Sequence, residues 1–144
     1  MTRTLAALVL LAAGGTAGAY APNVEYALNC QGCHRADGAG TAGSVPPLVG
    51  SVARFLAAPG GREYLVQVPG VAQAPLDDAT LAGVLNWTLK RFDEAHLPAG
   101  FVPYDAAEVG RLRLKPLTDV DGARRRLLDA IGPTAAAVPP PSGP

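Results

Sequence analysis

The chain has 144 residues, 12 basic and 12 acidic side chains, a formal net charge of 0 and 49% apolar residues. With both signs interspersed there is no basic stripe to argue for nucleic acid. A chain this small makes one domain that buries only a modest share of its surface.

The N-terminus carries an export pattern. Arg3 supplies a short positive region, Leu5 to Ala13 an apolar run, and Ala17-Gly18-Ala19 a small-residue cleavage site just before Tyr20. The run is too short to span a bilayer, so residues 1–19 read as a removed signal peptide. The mature chain is expected to start near Tyr20 and to work in a bacterial periplasm or an equivalent oxidising space. No later segment is able to hold a membrane.

Asn23 is the expected N-cap of a short helix through Val24, Tyr26, Ala27 and Leu28, whose spacing is that of a core-facing helix. It delivers Cys30-Gln31-Gly32-Cys33-His34. A C-x-x-C-H run is the attachment signature of c-type haem. The thiols add across the porphyrin vinyl groups and the imidazole is placed to ligate iron. Positions three and four apart share one side of a helical turn, so Cys30, Cys33 and His34 can address one flat ring. Other uses of these residues fit less well. A redox dithiol is expected beside a βαβ pattern, which is not visible. A closed zinc site lacks a second cysteine pair, and His96 is the only other histidine. A structural disulfide is the plain alternative.

Residues 35–44 are rich in Gly and small side chains and read as a loop. The following Val45-Pro46-Pro47-Leu48-Val49-Gly50 is expected to be extended, because each proline holds its predecessor out of the helical region. A haem-attachment turn, a Gly-rich loop and then a P-x-L-x-G segment resemble a class I cytochrome c. The resemblance covers roughly Asn23 to Phe92 and implies an all-α, cytochrome c-like fold wrapped around one covalently bound haem c. It further implies that the Pro46 carbonyl accepts the Nδ1 proton of His34 and that Leu48 packs on the ring. A ligating histidine generally gives its other N–H to such an acceptor.

Two short apolar pieces follow, Val52 to Ala57 ended by Pro59-Gly60-Gly61, and Arg62 to Val68 ended by Pro69-Gly70. Asp77-Asp78 then open the strongest helix, with Leu81, Val84, Leu85, Leu89 and Phe92 at helical spacing and two acids suited to the positive end of the helix dipole. Trp87 reads as core or haem-edge packing.

The resemblance places a methionine in the loop ahead of that helix as second axial ligand. The matching stretch here is Val71-Ala72-Gln73-Ala74-Pro75, and the only methionine is Met1, which leaves with the signal. Three alternatives stay open: His96, an open or water-bound iron, and another side chain such as Lys90. His96 also reads as an exposed polar residue after a helix C-terminus. Without methionine the reduction potential is expected to fall below that of His/Met carriers.

Past His96 comes a C-terminal helical extension, residues 93–131. Phe101-Val102-Pro103-Tyr104 reads as extended. Asp105 with Glu108 makes a capping-box pattern for a helix whose apolar face is Val109, Leu112 and Leu114. Asp119 to Ile131 forms another, with Val120, Leu127, Leu128 and Ile131 on one side and Arg124-Arg125-Arg126 outward, a contact for an acidic redox partner. Residues 132–144, rich in Pro and Ala, are expected to be disordered. Residues 20–92 would form the haem domain.

The expected function is a periplasmic mono-haem cytochrome carrying single electrons between periplasmic redox proteins, with no catalytic residues assigned. The alternative is a haem enzyme or gas sensor with an open distal iron, lined by Gln73, His96 or Arg62. A third possibility is a subunit of a larger complex that uses the extension as its interface. The oligomeric state is open.

Overall fold

The computed structural model describes residues 19–132. The expected signal peptide, apart from Ala19, and the Pro/Ala-rich tail from Pro133 onward lie outside the described residues. Helices dominate: α1 Pro22–Asn29, α2 Gln31–His34, a 3-10 turn Ala53–Ala57, α3 Gly61–Gln67, α4 Pro69–Ala72, α5 Asp78–Asp93, a second 3-10 turn Glu94–His96, α6 Ala106–Arg113 and α7 Val120–Ile131. Among the described residues the one β feature is an isolated bridge between Thr41 and Val45, so the fold is all-α as expected.

The long helix α5 is the spine. Asp77 caps it, its carboxylate accepting from Thr80 N at 2.8 Å, and the same bonds hold the Asp77 carboxyl below the usual carboxylate range. Leu81, Val84, Leu85, Leu89 and Phe92 are all buried, as their spacing requires. Helix α1 packs across α5. Tyr26, 2% exposed, meets the rings of Trp87 and Phe92, each with centroids 5.2 Å away, which supplies tilted aromatic contacts at the centre of the crossing.

Helix α1 differs from expectation in two ways. It starts one residue before Asn23, with Ala21 as N-cap and Pro22 in the first turn. Proline's fixed φ and missing N–H suit that position, so it displaces the asparagine cap. Val24 and Leu28 are exposed, and the buried face is formed by Tyr26 and Glu25. The Glu25 carboxylate is satisfied by Asn29 Nδ2 at 3.0 Å and by the Tyr20 amide at 3.2 Å, which is what allows a charged group to be buried there. A third difference is at Pro69-Gly70, expected as a stop. The proline ends α3 but also opens α4, since the residue that cannot continue one helix is well placed at the first turn of the next.

The extension packs onto the rest. Helix α6 lies on α5 and α3, and α7 lies on the first 3-10 turn and α3. Asp105 caps α6 through Glu108 N at 2.8 Å and Asp119 caps α7 through Gly122 N at 2.8 Å. The Glu108 side chain instead grips Arg62, with Nε to Oε1 at 2.5 Å and Nη2 to Oε2 at 2.6 Å. That bond raises the Arg62 pKa and joins α3 to α6 by a two-point charged contact. Val109 is fully buried, whereas Leu114, expected on the apolar face, is 79% exposed because α6 has ended at Arg113.

Tyr104 is the other anchor. Asn86 on α5 reads its backbone like a neighbouring strand, Oδ1 accepting from Tyr104 N at 2.8 Å and Nδ2 donating to Tyr104 O at 2.9 Å. The phenol donates to Arg62 O at 2.8 Å, and its burial pushes the Tyr104 pKa up. The Arg62 guanidinium stacks over the same ring, 4.0 Å from its centroid.

Candidate haem-binding site

The C-x-x-C-H run sits where α1 breaks into α2. Cys30 is the hinge: its amide still bonds Tyr26 O at 2.9 Å, closing α1, while its carbonyl accepts from Cys33 N at 3.2 Å and His34 N at 3.0 Å, opening α2. Both cysteines are free thiols, Cys30 half-buried and Cys33 exposed, so the disulfide alternative is not what the structure shows. Burial first, and the neighbouring Cys33 second, push the Cys30 thiol up. Among the described residues no group of three or more His, Cys, Asp or Glu side chains gathers to hold a bare metal ion.

The Gly-rich loop returns against this turn by close backbone approach. Arg35 adopts φ 66°, the left-handed region, just after His34. Its carbonyl accepts the Tyr26 hydroxyl at 2.8 Å, which offsets the cost of the conformation and fixes the exit from α2. Gly40 N donates to His34 O at 3.1 Å. A Cβ on Gly40 would stand 2.3 Å from Val45 O and 2.7 Å from Pro46 O, and its φ is +68°. Only glycine lets the Val45–Pro46 backbone close in here, and that closure brings Pro46 to His34. Sequence reading saw this stretch as a loop and missed the glycine's role. The signal was present in the alternating glycines, but their partners lie in the next segment.

His34 is half-buried, and its Nδ1 is buried without a hydrogen-bond partner among the described residues. Burial lowers the His34 pKa, and the Pro46 carbonyl opposes this. The carbonyl therefore lies near Nδ1 but short of hydrogen-bond geometry. A neutral imidazole with its Nδ1 proton near one acceptor leaves Nε2 as a lone-pair donor, the form a metal requires. The orphaned Nδ1, the neutral bias and two unpaired thiols on the same turn fit a covalently tethered haem. Leu48 is half-buried at the edge of the core, and Leu48 N is tied to Gly38 O at 2.7 Å.

His96 lies elsewhere. Its Nδ1 donates to Asp93, a buried carboxylate whose other oxygen accepts from Ala53 N at 2.8 Å. Phe92 O next to it accepts from Gly50 N at 3.0 Å, so His96 is fastened at the foot of α5 beside the loop that packs against His34. Arg62 is engaged by Glu108 and the Val102 carbonyl, and Gln73 and Lys90 are exposed. The stretch Ala72–Leu76 is held by one residue that sequence reading did not single out. The Arg113 guanidinium donates to Ala72 O at 3.0 Å, Ala74 O at 2.6 Å, Leu76 O at 2.7 Å and Asp78 Oδ1 at 3.0 Å.

An all-α chain built on this turn, with the Pro46 segment closed over His34, belongs to the c-type cytochromes, and comparison of sequences shows the membership directly. The chain is 40% identical over 136 residues to a cytochrome c-552 of Thermus thermophilus, a match that covers 82% of this chain and 90% of that protein. A second cytochrome c-552 attributed to the same species is 39% identical over 107 residues, covering 62% of this chain and 82% of the relative. No protein-family model matches the chain.

Proposed function

We propose that the protein is an exported single-haem electron carrier. Cys30 and Cys33 would hold the haem by thioether bonds, and His34 Nε2 would be the first axial ligand. The observation that carries this is the buried, unpartnered His34 Nδ1 beside the Pro46 carbonyl, on the same turn as two free thiols. The bound group supplies a one-electron iron couple.

The chain's own part is to position and shield. Gly40 admits Pro46 to His34, where the Pro46 carbonyl would orient the imidazole by accepting its Nδ1 proton once the haem is in place. Tyr26, Trp87 and Phe92 keep the α1–α5 crossing rigid, which limits reorganisation when charge changes. For docking, Arg125 and Arg126 are exposed on α7, while Arg124 is stacked on Phe55 at 5.1 Å. Arg126 pairs with Asp119 at 3.8 Å, which leaves Arg125 as the member of the three best placed to steer an acidic redox protein.

The periplasmic assignment rests on the Arg3, Leu5–Ala13 and Ala17-Gly18-Ala19 pattern. Among the described residues no helix is long and apolar enough to cross a membrane. Potentiometric titration of the purified holoprotein tests the carrier reading. The expected result is a reversible one-electron transition at a potential below that of His/Met cytochromes; an irreversible response, or a value typical of those cytochromes, would count against it.

A further inference from the structure

We infer that Glu25 is a built receptor for the α-amine that signal cleavage creates at Tyr20, so that processing at the Ala19–Tyr20 bond supplies the counter-ion of a buried carboxylate. The inference rests on the export reading above.

Glu25 is only 6% exposed, and among the described residues no ion pair includes it. Each of its carboxylate oxygens meets one neutral donor: Oε2 accepts from Asn29 Nδ2 at 3.0 Å and Oε1 accepts from the Tyr20 nitrogen at 3.2 Å. Two neutral donors meet part of the hydrogen-bonding capacity, yet a carboxylate withdrawn from water also calls for an opposite charge. Asn29 cannot supply one, and its amide is further committed to Glu25 O at 3.0 Å. The Tyr20 nitrogen is the donor whose charge can change.

In the precursor that nitrogen belongs to the peptide bond with Ala19, directly after the small-residue pattern Ala17-Gly18-Ala19. A signal endopeptidase hydrolyses the bond with one water. The Ala19 acyl group leaves with the signal as a carboxylate, and Tyr20 keeps its nitrogen as a free amine, which is mostly protonated at neutral pH. In place of the single N–H aimed at Oε1 then stands an ammonium with three donors. Cleavage one residue earlier would put the charge on Ala19, and cleavage one residue later would remove the donor.

The start of α1 gives the pair a second reason to form. Ala21 is the N-cap, and its carbonyl accepts from Val24 N at 2.8 Å and Glu25 N at 3.1 Å. An ammonium one residue ahead of that cap would by itself oppose the positive end of the helix dipole. Glu25, in the first turn, offsets the opposition. The helix runs from there to Cys30, whose amide closes it on Tyr26 O, so a pinned start steadies the element that carries the thiols.

The test begins with N-terminal sequencing of the mature holoprotein, which is expected to start at Tyr20; any other start overturns the inference. Wild type and Glu25→Gln are then compared with and without acetylation of the α-amine alone, made in urea at mildly acidic pH where lysine side chains stay protonated. Urea unfolding is expected to give a folding constant about tenfold smaller for the acetylated wild type, the difference between a charge-assisted and a neutral hydrogen bond. In Glu25→Gln acetylation should change it by no more than about twofold. An equal effect in both proteins overturns the inference. A second measurement needs no variant: the α-amine of the folded wild type should acylate about tenfold more slowly than that of a peptide of residues 20–29, because a carboxylate partner holds its proton. Equal rates overturn the inference. Haem-bearing protein that starts at Tyr20 without this coupling overturns this inference alone, while haem-bearing protein that retains residues 1–19 overturns the export reading with it.

Discussion

Replacing Arg113 by alanine is the sharpest perturbation of the link between the extension and the rest of the fold. The guanidinium makes four hydrogen bonds, three to carbonyls of the 72–76 stretch and one to the Asp78 carboxylate. A hydrogen bond to a charged group contributes about 1.5–3 kcal/mol net. The stretch is only partly buried, with Gln73 and Pro75 exposed, so water replaces some of what is lost and the four contributions do not add. The expected loss is about 3 kcal/mol, with R113K intermediate because an ammonium cannot reproduce the fork. Urea unfolding of the holoprotein followed by far-ultraviolet dichroism reads this as a lower midpoint at unchanged slope. Amide exchange should speed up most in residues 72–78. A loss under about 1 kcal/mol for R113A, or protection unchanged there, would refute the view that this one side chain fixes the stretch.

Gly40→Ala should cost about 3 kcal/mol, from its positive φ and from a Cβ 2.3 Å from Val45 O. It should also raise the reduction potential, since Pro46 displaced from His34 leaves a less basic ligand; a stable variant with an unchanged potential would contradict the closure described. Leu89→Ala, at a side chain 1% exposed on α5, should lose about 3 kcal/mol in the same unfolding assay, and a loss below about 1 kcal/mol would place Leu89 outside the core. Tyr26 is pushed up to about 12 from 10.0, first by burial, then by Cys30 and Asp37. Its folded pKa lies above the unfolded one, so the stability it adds is complete below pH 10 and is lost as pH rises towards 12. That loss is about 2 kcal/mol once the Cys30 thiolate is removed by tethering. Tyr26→Phe should cost about 1 kcal/mol at neutral pH through its bond to Arg35 O and should flatten the alkaline limb. Parallel pH profiles for the two proteins would rule out this assignment.

What could be read from the sequence was local. The α5 stripe and the cap Asp105 are properties of neighbours within one helix or one turn, and the structure has them where periodicity and capping rules put them, whereas Asp77 and Asp119, read only as the residues where their helices begin, are shown by the structure to be caps. The helical turn that carries the C-x-x-C-H run was legible for the same reason. Proline was ambiguous at Pro22 and Pro69, because the feature that ends one helix favours the start of another. The exposure of Val24 and Leu28 could not be seen, since an eight-residue helix has only one face against α5 and Tyr26 with Glu25 occupies it. Least legible were the polar links between distant segments: Asn86 with Tyr104, Asp93 with Ala53, Arg113 with Ala72 to Asp78. Each partner taken alone is an ordinary polar residue or a plain backbone group, and only the folded approach of 18 to 41 residues of separation gives it a role.

The most direct test of the account is the intact mass of the mature protein purified from a host with cytochrome maturation machinery. The account predicts a single species carrying one haem that survives acid and organic extraction, with Cys30 and Cys33 blocked to alkylation. A chain at its bare mass with both thiols reactive, or joined to each other, would contradict it.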